Sequence, residues 1–156
     1  MKITKVTANN RKKEFEIETR KGIFTYPYAK LDLRPTAQDP ILRAYVDKEL
    51  AREAFTYTLA SGKTDSIHID RVLEHHREPG HMADLLLYRL TVEVNTRFEN
   101  SSFTMRGLAR RLGTSPAQLY RLLDTTNYQK SVRQMLRLLH ELDCEVDFVI
   151  RERVAG

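Results

Sequence analysis

One stretch of this chain, from Thr104 to Asp124, reads T-M-R-G-L-A-R-R-L-G-T-S-P-A-Q-L-Y-R-L-L-D and decides the fold of the second half. Leu108 and Leu112 are four residues apart, so they lie on the same face of a helix. Gly113 can end that helix, because glycine readily adopts the left-handed conformation that often follows a last helical turn. The first part of the stretch therefore predicts a short amphipathic helix.

A second short helix follows directly. Thr114 or Ser115 can cap its start, and Pro116 suits a first helical turn, where no backbone donor is needed. Leu119 and Leu122 then give the helix an apolar stripe. Two short helices joined by a tight turn are typical of a helix-turn-helix.

The stretch resembles the DNA-binding unit of the lambda-repressor-like, Xre-type family of bacterial regulators. The family's pattern of apolar residues, alanine and glycine is met at Leu108, Ala109, Leu112, Gly113, Leu119 and Leu122. Thr114 departs from the pattern, since the family usually has an aliphatic residue there. The resemblance implies a sequence-specific DNA-binding protein, a transcriptional regulator, whose second helix enters the major groove.

Several side chains are candidate DNA contacts under this interpretation. Arg121 can form a bidentate pair with guanine, Gln118 can read adenine or hold a phosphate, and Tyr120 suits a backbone phosphate. The predicted contacts of the second helix are Ser115, Ala117, Gln118, Tyr120 and Arg121. The predicted phosphate contacts outside it are Arg106, Arg110, Arg111 and Lys130.

Charge is concentrated around the same stretch. From Thr104 to Arg137 there are seven basic residues and one carboxylate, Asp124, a net charge of +6. The whole chain carries +5, so the remaining residues together carry −1. A basic segment of this kind is what phosphate binding requires.

Composition narrows the class of protein. Hydrophobic residues make up 41% and charged residues 30%, as in globular domains, and no apolar run approaches the roughly eighteen residues of a membrane span. The opening residues lack the apolar core of a secretory signal. The single cysteine, Cys144, excludes an internal disulfide and favours a reducing compartment. We predict a cytoplasmic protein.

The hydrophobic pattern of the first half of the chain predicts β-strands. Phe15, Ile17 and Thr19 alternate with glutamates, the period of a strand with one face in water. The predicted elements are strands at 3–6, 14–19, 23–26, 55–59 and 66–69, a proline-containing loop at 31–41 and a short helix at 48–54. This half loosely resembles a small bacterial α+β domain family of unknown function.

The predicted fold class is α+β, in two domains. Residues 1–74 form a small antiparallel-sheet domain, 75–81 a polar linker, and 82–156 a helical domain of four to five helices. Long helices are predicted at 82–99 and 132–142 from their apolar periodicity. Residues 144–150 alternate and predict a strand at the end of this domain.

Enzymatic and metal-dependent functions find no support in the sequence. Four histidines, His68, His75, His76 and His81, could ligate a metal, but their spacing fits no established motif and favours a polar linker. Cys144 lacks a basic neighbour in sequence and suits a core position. No nucleophile elbow or phosphate-binding glycine loop is present. We predict no catalytic residues, no metal and no cofactor.

Two functions from different classes remain. The first is a regulator that binds double-stranded DNA as a homodimer, because one helix-turn-helix reads few base pairs. The second is an antitoxin-like module whose N-terminal domain binds a partner protein. The dimer seam could be the strand carrying Val146, Phe148 and Ile150, which could instead fold back on the protein's own sheet.

Overall fold

The computed structural model describes residues 1–154, and the chain divides into two compact units, Met1–Met82 (unit 1) and a second beginning at Ala83 (unit 2). Within the described residues there are two antiparallel three-stranded sheets and five α-helices. The predicted α+β class is confirmed. No helix in this part of the chain combines the length and apolar character needed to cross a bilayer.

The first sheet of unit 1 consists of three sequential antiparallel strands. The strands pair in the order β1-β2-β3, and the hairpin between β2 and β3 turns just before Gly22. Phe15 and Ile17 of the central strand are fully buried, while the intervening Glu16 is half-exposed. The alternation predicted from the sequence therefore places one face on the core. The strands are β1 (Ile3–Asn9), β2 (Glu14–Thr19) and β3 (Gly22–Pro27).

The second sheet corrects two predictions. It contains β4 (Ile41–Val46), β5 (Ala54–Leu59) and β6 (Thr64–His68), and β4 was not predicted. The predicted helix at 48–54 is wrong, because residues 48–52 form turns in which Ala51 and Arg52 have positive φ, and β5 begins at Ala54. The Asp47 carboxylate accepts hydrogen bonds from the next backbone amides, as a helix cap would, but here it closes the β4–β5 turn.

Helix α1 (Ile69–His76) follows β6 immediately, and two residues separate it from α2 (Pro79–Glu99). The sequence predicted a strand up to Ile69 and a polar linker at 75–81. Those residues instead form the end of α1, a short turn and the first turn of α2. Helix α1 is held by its apolar stripe, since Ile69, Val72 and Leu73 are buried.

Aromatic side chains form the centre of the unit 1 core. The ring of Phe15 lies 4.8 Å from that of Phe55 and 5.3 Å from that of Tyr57, between centroids. The Tyr57 hydroxyl donates a 2.7 Å hydrogen bond to the Leu33 carbonyl, and burial raises the pKa of this phenol above its usual value. The proline-containing loop is thereby fixed to the core.

Unit 2 is helical, and its helices share one core. In addition to α2 it contains α3 (Met105–Leu112), α4 (Pro116–Leu123) and α5 (Val132–Glu141). The predicted helices at 82–99 and 132–142 agree with α2 and α5 to within a few residues. The fully buried core side chains of unit 2 are Val94, Leu108, Leu119, Met135 and Leu138.

The strand predicted at 144–150 is not formed within the described chain, where these residues form neither strand nor helix. Cys144 and Val146 pack against the unit 2 core, whereas Phe148 and the residues from there to Val154 are exposed. An alternating pattern becomes a strand only when another strand accepts its backbone hydrogen bonds. No described residue does so.

Candidate nucleic-acid interface

Helix α3 is fixed at both ends by local hydrogen bonds. At its start, the Thr104 hydroxyl accepts a 3.0 Å hydrogen bond from the Gly107 amide. At its end, Gly113 adopts the left-handed conformation with φ of 69°. The amides of Gly113 and Thr114 then donate to the carbonyls of Arg110 and Ala109, which closes the last turn.

Three residues, 113–115, separate helix α4 from α3. The sequence left Thr114 and Ser115 as alternative caps, and the structure assigns Ser115, whose hydroxyl accepts a 3.1 Å hydrogen bond from the Gln118 amide. Pro116 occupies the first turn of α4. The two helices and their turn, Met105–Leu123, are called the helix pair below.

The helix pair is held by side chains at the positions that carried the family resemblance. Leu108, Ala109 and Leu119 are at most 1% exposed, and Leu112 and Leu122 are below 9%. They share a cluster with side chains of α2 and α5. Because the inner faces of both helices are fully used in packing, the outer faces are presented to solvent in a fixed orientation.

The outer face of α4 carries most of the predicted contacts of that helix. Ala117, Tyr120 and Arg121 are exposed and follow the spacing of one helix face, and Ser115 is exposed at its start. Tyr120 is 62% exposed, which is unusual for a large aromatic side chain. Gln118 is only half-exposed. A small residue, a phenol and a guanidinium thus form one solvent-facing surface.

The arginines of α3 differ in their freedom to bind an anion. Arg106 and Arg110 are four residues apart, exposed, and make no ion pair with any described residue. Arg111 pairs with Glu141 of α5 at 3.1 Å (Nε to Oε2), and its guanidinium also lies 5.9 Å from the ring centroid of Phe103. Arg111 is therefore partly neutralised within the protein.

Lys130 does not belong to the exposed surface. It is only 8% exposed, and its ammonium group donates hydrogen bonds to the carbonyls of Leu122 (2.9 Å) and Asp124 (2.8 Å). Burial lowers the pKa of this lysine, although the nearby Asp124 carboxylate opposes the shift. The predicted phosphate contact at Lys130 is corrected: this ammonium satisfies carbonyls at the end of α4 and is not available to a phosphate.

Arg133 is an exposed cation that the sequence analysis did not include among the predicted DNA contacts. It lies in the first turn of α5, is exposed, and makes no ion pair with the described residues. Its charge could have indicated this role, since Arg133 lies in the segment from Thr104 to Arg137, which carries a net charge of +6. Its neighbour Arg137 instead donates a 3.0 Å hydrogen bond to the Leu112 carbonyl.

The histidines considered as metal ligands form two pairs in unit 1. His68 caps α1 by accepting a hydrogen bond from the Asp70 amide, and ring nitrogens of His68 and His81 lie 3.4 and 3.8 Å from the Asp70 carboxylate. The rings of His75 and His76 are 5.0 Å apart between centroids, and His76 Nε2 lies 2.6 Å from the Thr25 carbonyl. Within residues 1–154, no group of three or more such side chains has an arrangement that could hold a metal ion.

No protein-family model, no curated protein and no solved structure matches this chain. The function of the helix pair must follow from its geometry, its exposed side chains and its charge.

Proposed function

We propose that this chain is a sequence-specific DNA-binding protein, a transcriptional regulator in which the helix pair acts as a helix-turn-helix. The observation that carries the proposal is the exposed face of α4, where Ala117, Tyr120 and Arg121 project from a helix that is capped and packed on its other side. A small residue permits close approach to a groove, and the other two supply hydrogen-bond donors.

The supporting electrostatics come from arginines that the protein leaves unpaired. Arg106, Arg110, Arg121 and Arg133 are exposed and make no ion pair with described residues. Phosphate oxygens are the natural partners of such groups, because charge-assisted hydrogen bonds to guanidinium are strong and often bidentate. In this role α4 enters the major groove, Arg121 reads a guanine edge, and Tyr120 contacts the backbone.

The experiment is a binding titration with duplex DNA taken from immediately upstream of the coding region, repeated over a range of salt concentrations. If the four unpaired arginines each neutralise one phosphate, the log–log slope of affinity against salt should be about −4 per protomer. Affinity that does not change with salt would contradict the phosphate contacts.

Arg121→Ala and Arg110→Ala form a matched pair that separates base reading from phosphate binding. Loss of Arg121 should cost about 1–3 kcal/mol on the preferred site and relax the preference at one base position. Loss of Arg110 should weaken binding to all sequences equally. If both variants lose affinity uniformly and keep the same base preference, Arg121 is a phosphate contact and not the reader.

The proposal includes a homodimer acting in the cytoplasm. One helix pair contacts few base pairs, and such modules gain specificity by binding two half-sites about one DNA turn apart. A probe carrying two half-sites should therefore bind far more tightly than a probe carrying one.

An antitoxin-like role is the second candidate, and exposed apolar residues of unit 1 favour it. Ile23 of β3 is 66% exposed and Leu42 of β4 is 67% exposed, both high for side chains of this type. A partner protein encoded beside this chain should then co-purify with it. Ile23→Asp and Leu42→Asp should abolish that complex and leave DNA affinity unchanged. Retention of the complex in both variants would exclude these two side chains as contacts of the partner.

A further inference from the structure

Residues 145–154, which follow α5, have a strand-forming sequence but pair with no strand of the described chain, and most of their side chains are exposed. They read E-V-D-F-V-I-R-E-R-V, and their backbone makes no hydrogen bond with any described residue. Phe148, Val149 and Ile150 are 60%, 80% and 96% exposed, although they have high strand propensity. Exposed backbone and apolar side chains of this kind are a template for pairing with another strand.

The charges of this segment are self-complementary in one antiparallel register. If two copies pair about a two-fold axis at Val149, Asp147 of each copy faces Arg151 of the other, and Glu145 faces Arg153. Each of these pairs occurs twice, as an interface with two-fold symmetry requires. Phe148 faces Ile150 on the opposite side of the same ribbon.

Neighbouring registers keep only half of this match. Moving the two-fold axis to Phe148 keeps Glu145 opposite Arg151 but leaves Asp147 opposite Val149, and moving it to Ile150 keeps Asp147 opposite Arg153 but leaves Arg151 opposite Val149. Side chains that face each other across an antiparallel pair lie on the same side of the ribbon, so opposite charges stabilise a register and misplaced charges disfavour it. Only the register centred on Val149 places both carboxylates opposite arginines.

We propose that residues 145–153 pair antiparallel with the same residues of a second copy of this chain, centred on Val149. Four ion pairs then line one side of the ribbon. Phe148 and Ile150 of both copies form the centre of the other side, and at each of its ends Val146, which also contacts the unit 2 core, faces Glu152. The occupant is a second copy, because the charges of the segment complement its own sequence. The inference deepens the proposed homodimer but does not depend on DNA binding.

The test is the oligomeric state of the full chain without DNA, measured by sedimentation velocity. Asp147→Arg places like charges opposite Arg151 of the second copy, and Arg151→Asp does the same opposite Asp147. Each variant alone should raise the dimer dissociation constant roughly tenfold or more. An equimolar mixture of the two should form a heterodimer, because each copy then supplies the charge that the other needs.

Glu152→Arg is the matched control, since this register places Glu152 opposite the apolar Val146. It should remain a dimer, with the same helical circular dichroism as the wild type. A monomeric wild type, single variants that still dimerise, or a mixture that stays monomeric would each overturn the proposal. Because DNA is absent, none of these outcomes bears on the function of the helix pair.

Discussion

Replacing Lys130 by methionine tests whether this residue stabilises unit 2 or binds phosphate. Methionine keeps an unbranched chain of similar length but removes the ammonium group. In the structure that group donates to the carbonyls of Leu122 and Asp124 at 2.9 and 2.8 Å. Both carbonyls lie at the end of α4, where no further helical turn can satisfy them, although the Asn127 amide also donates to the Asp124 carbonyl at 3.2 Å.

The expected cost follows from those two contacts. A hydrogen bond involving a charged group contributes about 1.5–3 kcal/mol, and part of this gain is offset by burying the ammonium. The two lost bonds and the unsatisfied Leu122 carbonyl should together lower the free energy of unfolding by about 2–3 kcal/mol. For a unit of this size that lowers Tm by about 10 °C or more.

Thermal unfolding followed by far-ultraviolet circular dichroism measures the change. Arg133→Met is the matched control, because Arg133 is an exposed cation nearby with no ion pair to the described residues. It should leave Tm nearly unchanged and weaken DNA binding. Lys130→Met should lower Tm and leave DNA binding nearly unchanged, when binding is measured at a temperature well below the Tm of this variant.

A Lys130→Met protein with unchanged Tm and weakened DNA binding would contradict the structural role of Lys130. That result would mean that the ammonium group is free to contact phosphate in solution. Equal Tm losses in the Lys130 and Arg133 variants would also contradict it, because a general loss of positive charge would then explain both.

Three further predictions concern single contacts. Gly113→Ala should lower stability by about 1 kcal/mol in urea titrations, because the strain comes from a φ of 69° and not from a clash. Tyr28→Phe should cost about 1 kcal/mol through the lost hydrogen bond to Asn10, whereas Tyr26→Phe, which loses no such bond, should cost less. Partial desolvation of the surface-exposed His75, and then the positive charge of neighbouring His76 and Lys30, lower its pKa, so the stability of unit 1 should fall slightly as pH drops below about 6.5, and His75→Gln should reduce that loss.

Much of the fold could be predicted because its signals are local. The caps and apolar stripes of α3, α4 and α5 depend on residues within about four positions of each other, so they can be read directly from the sequence. The β2–β3 hairpin was likewise visible in the alternation around Phe15 and Ile17. Helix α1 was missed although Ile69, Val72 and Leu73 have helical spacing, because the preceding strand pattern was extended through Ile69.

The sequence was enough to predict the helix pair, the end of α3 at Gly113 and the excess of positive charge, since these depend on neighbouring residues and on composition. The choice of Ser115 as the cap of α4 and the identity of the free cations depend on the three-dimensional structure. Lys130 resembles a surface cation in sequence, but the path of the chain between α4 and α5 brings its ammonium to two carbonyls. Residues 144–150 also could not be assigned from the sequence. Their alternating pattern is compatible with a strand, but a strand forms only where a partner strand supplies the missing backbone hydrogen bonds.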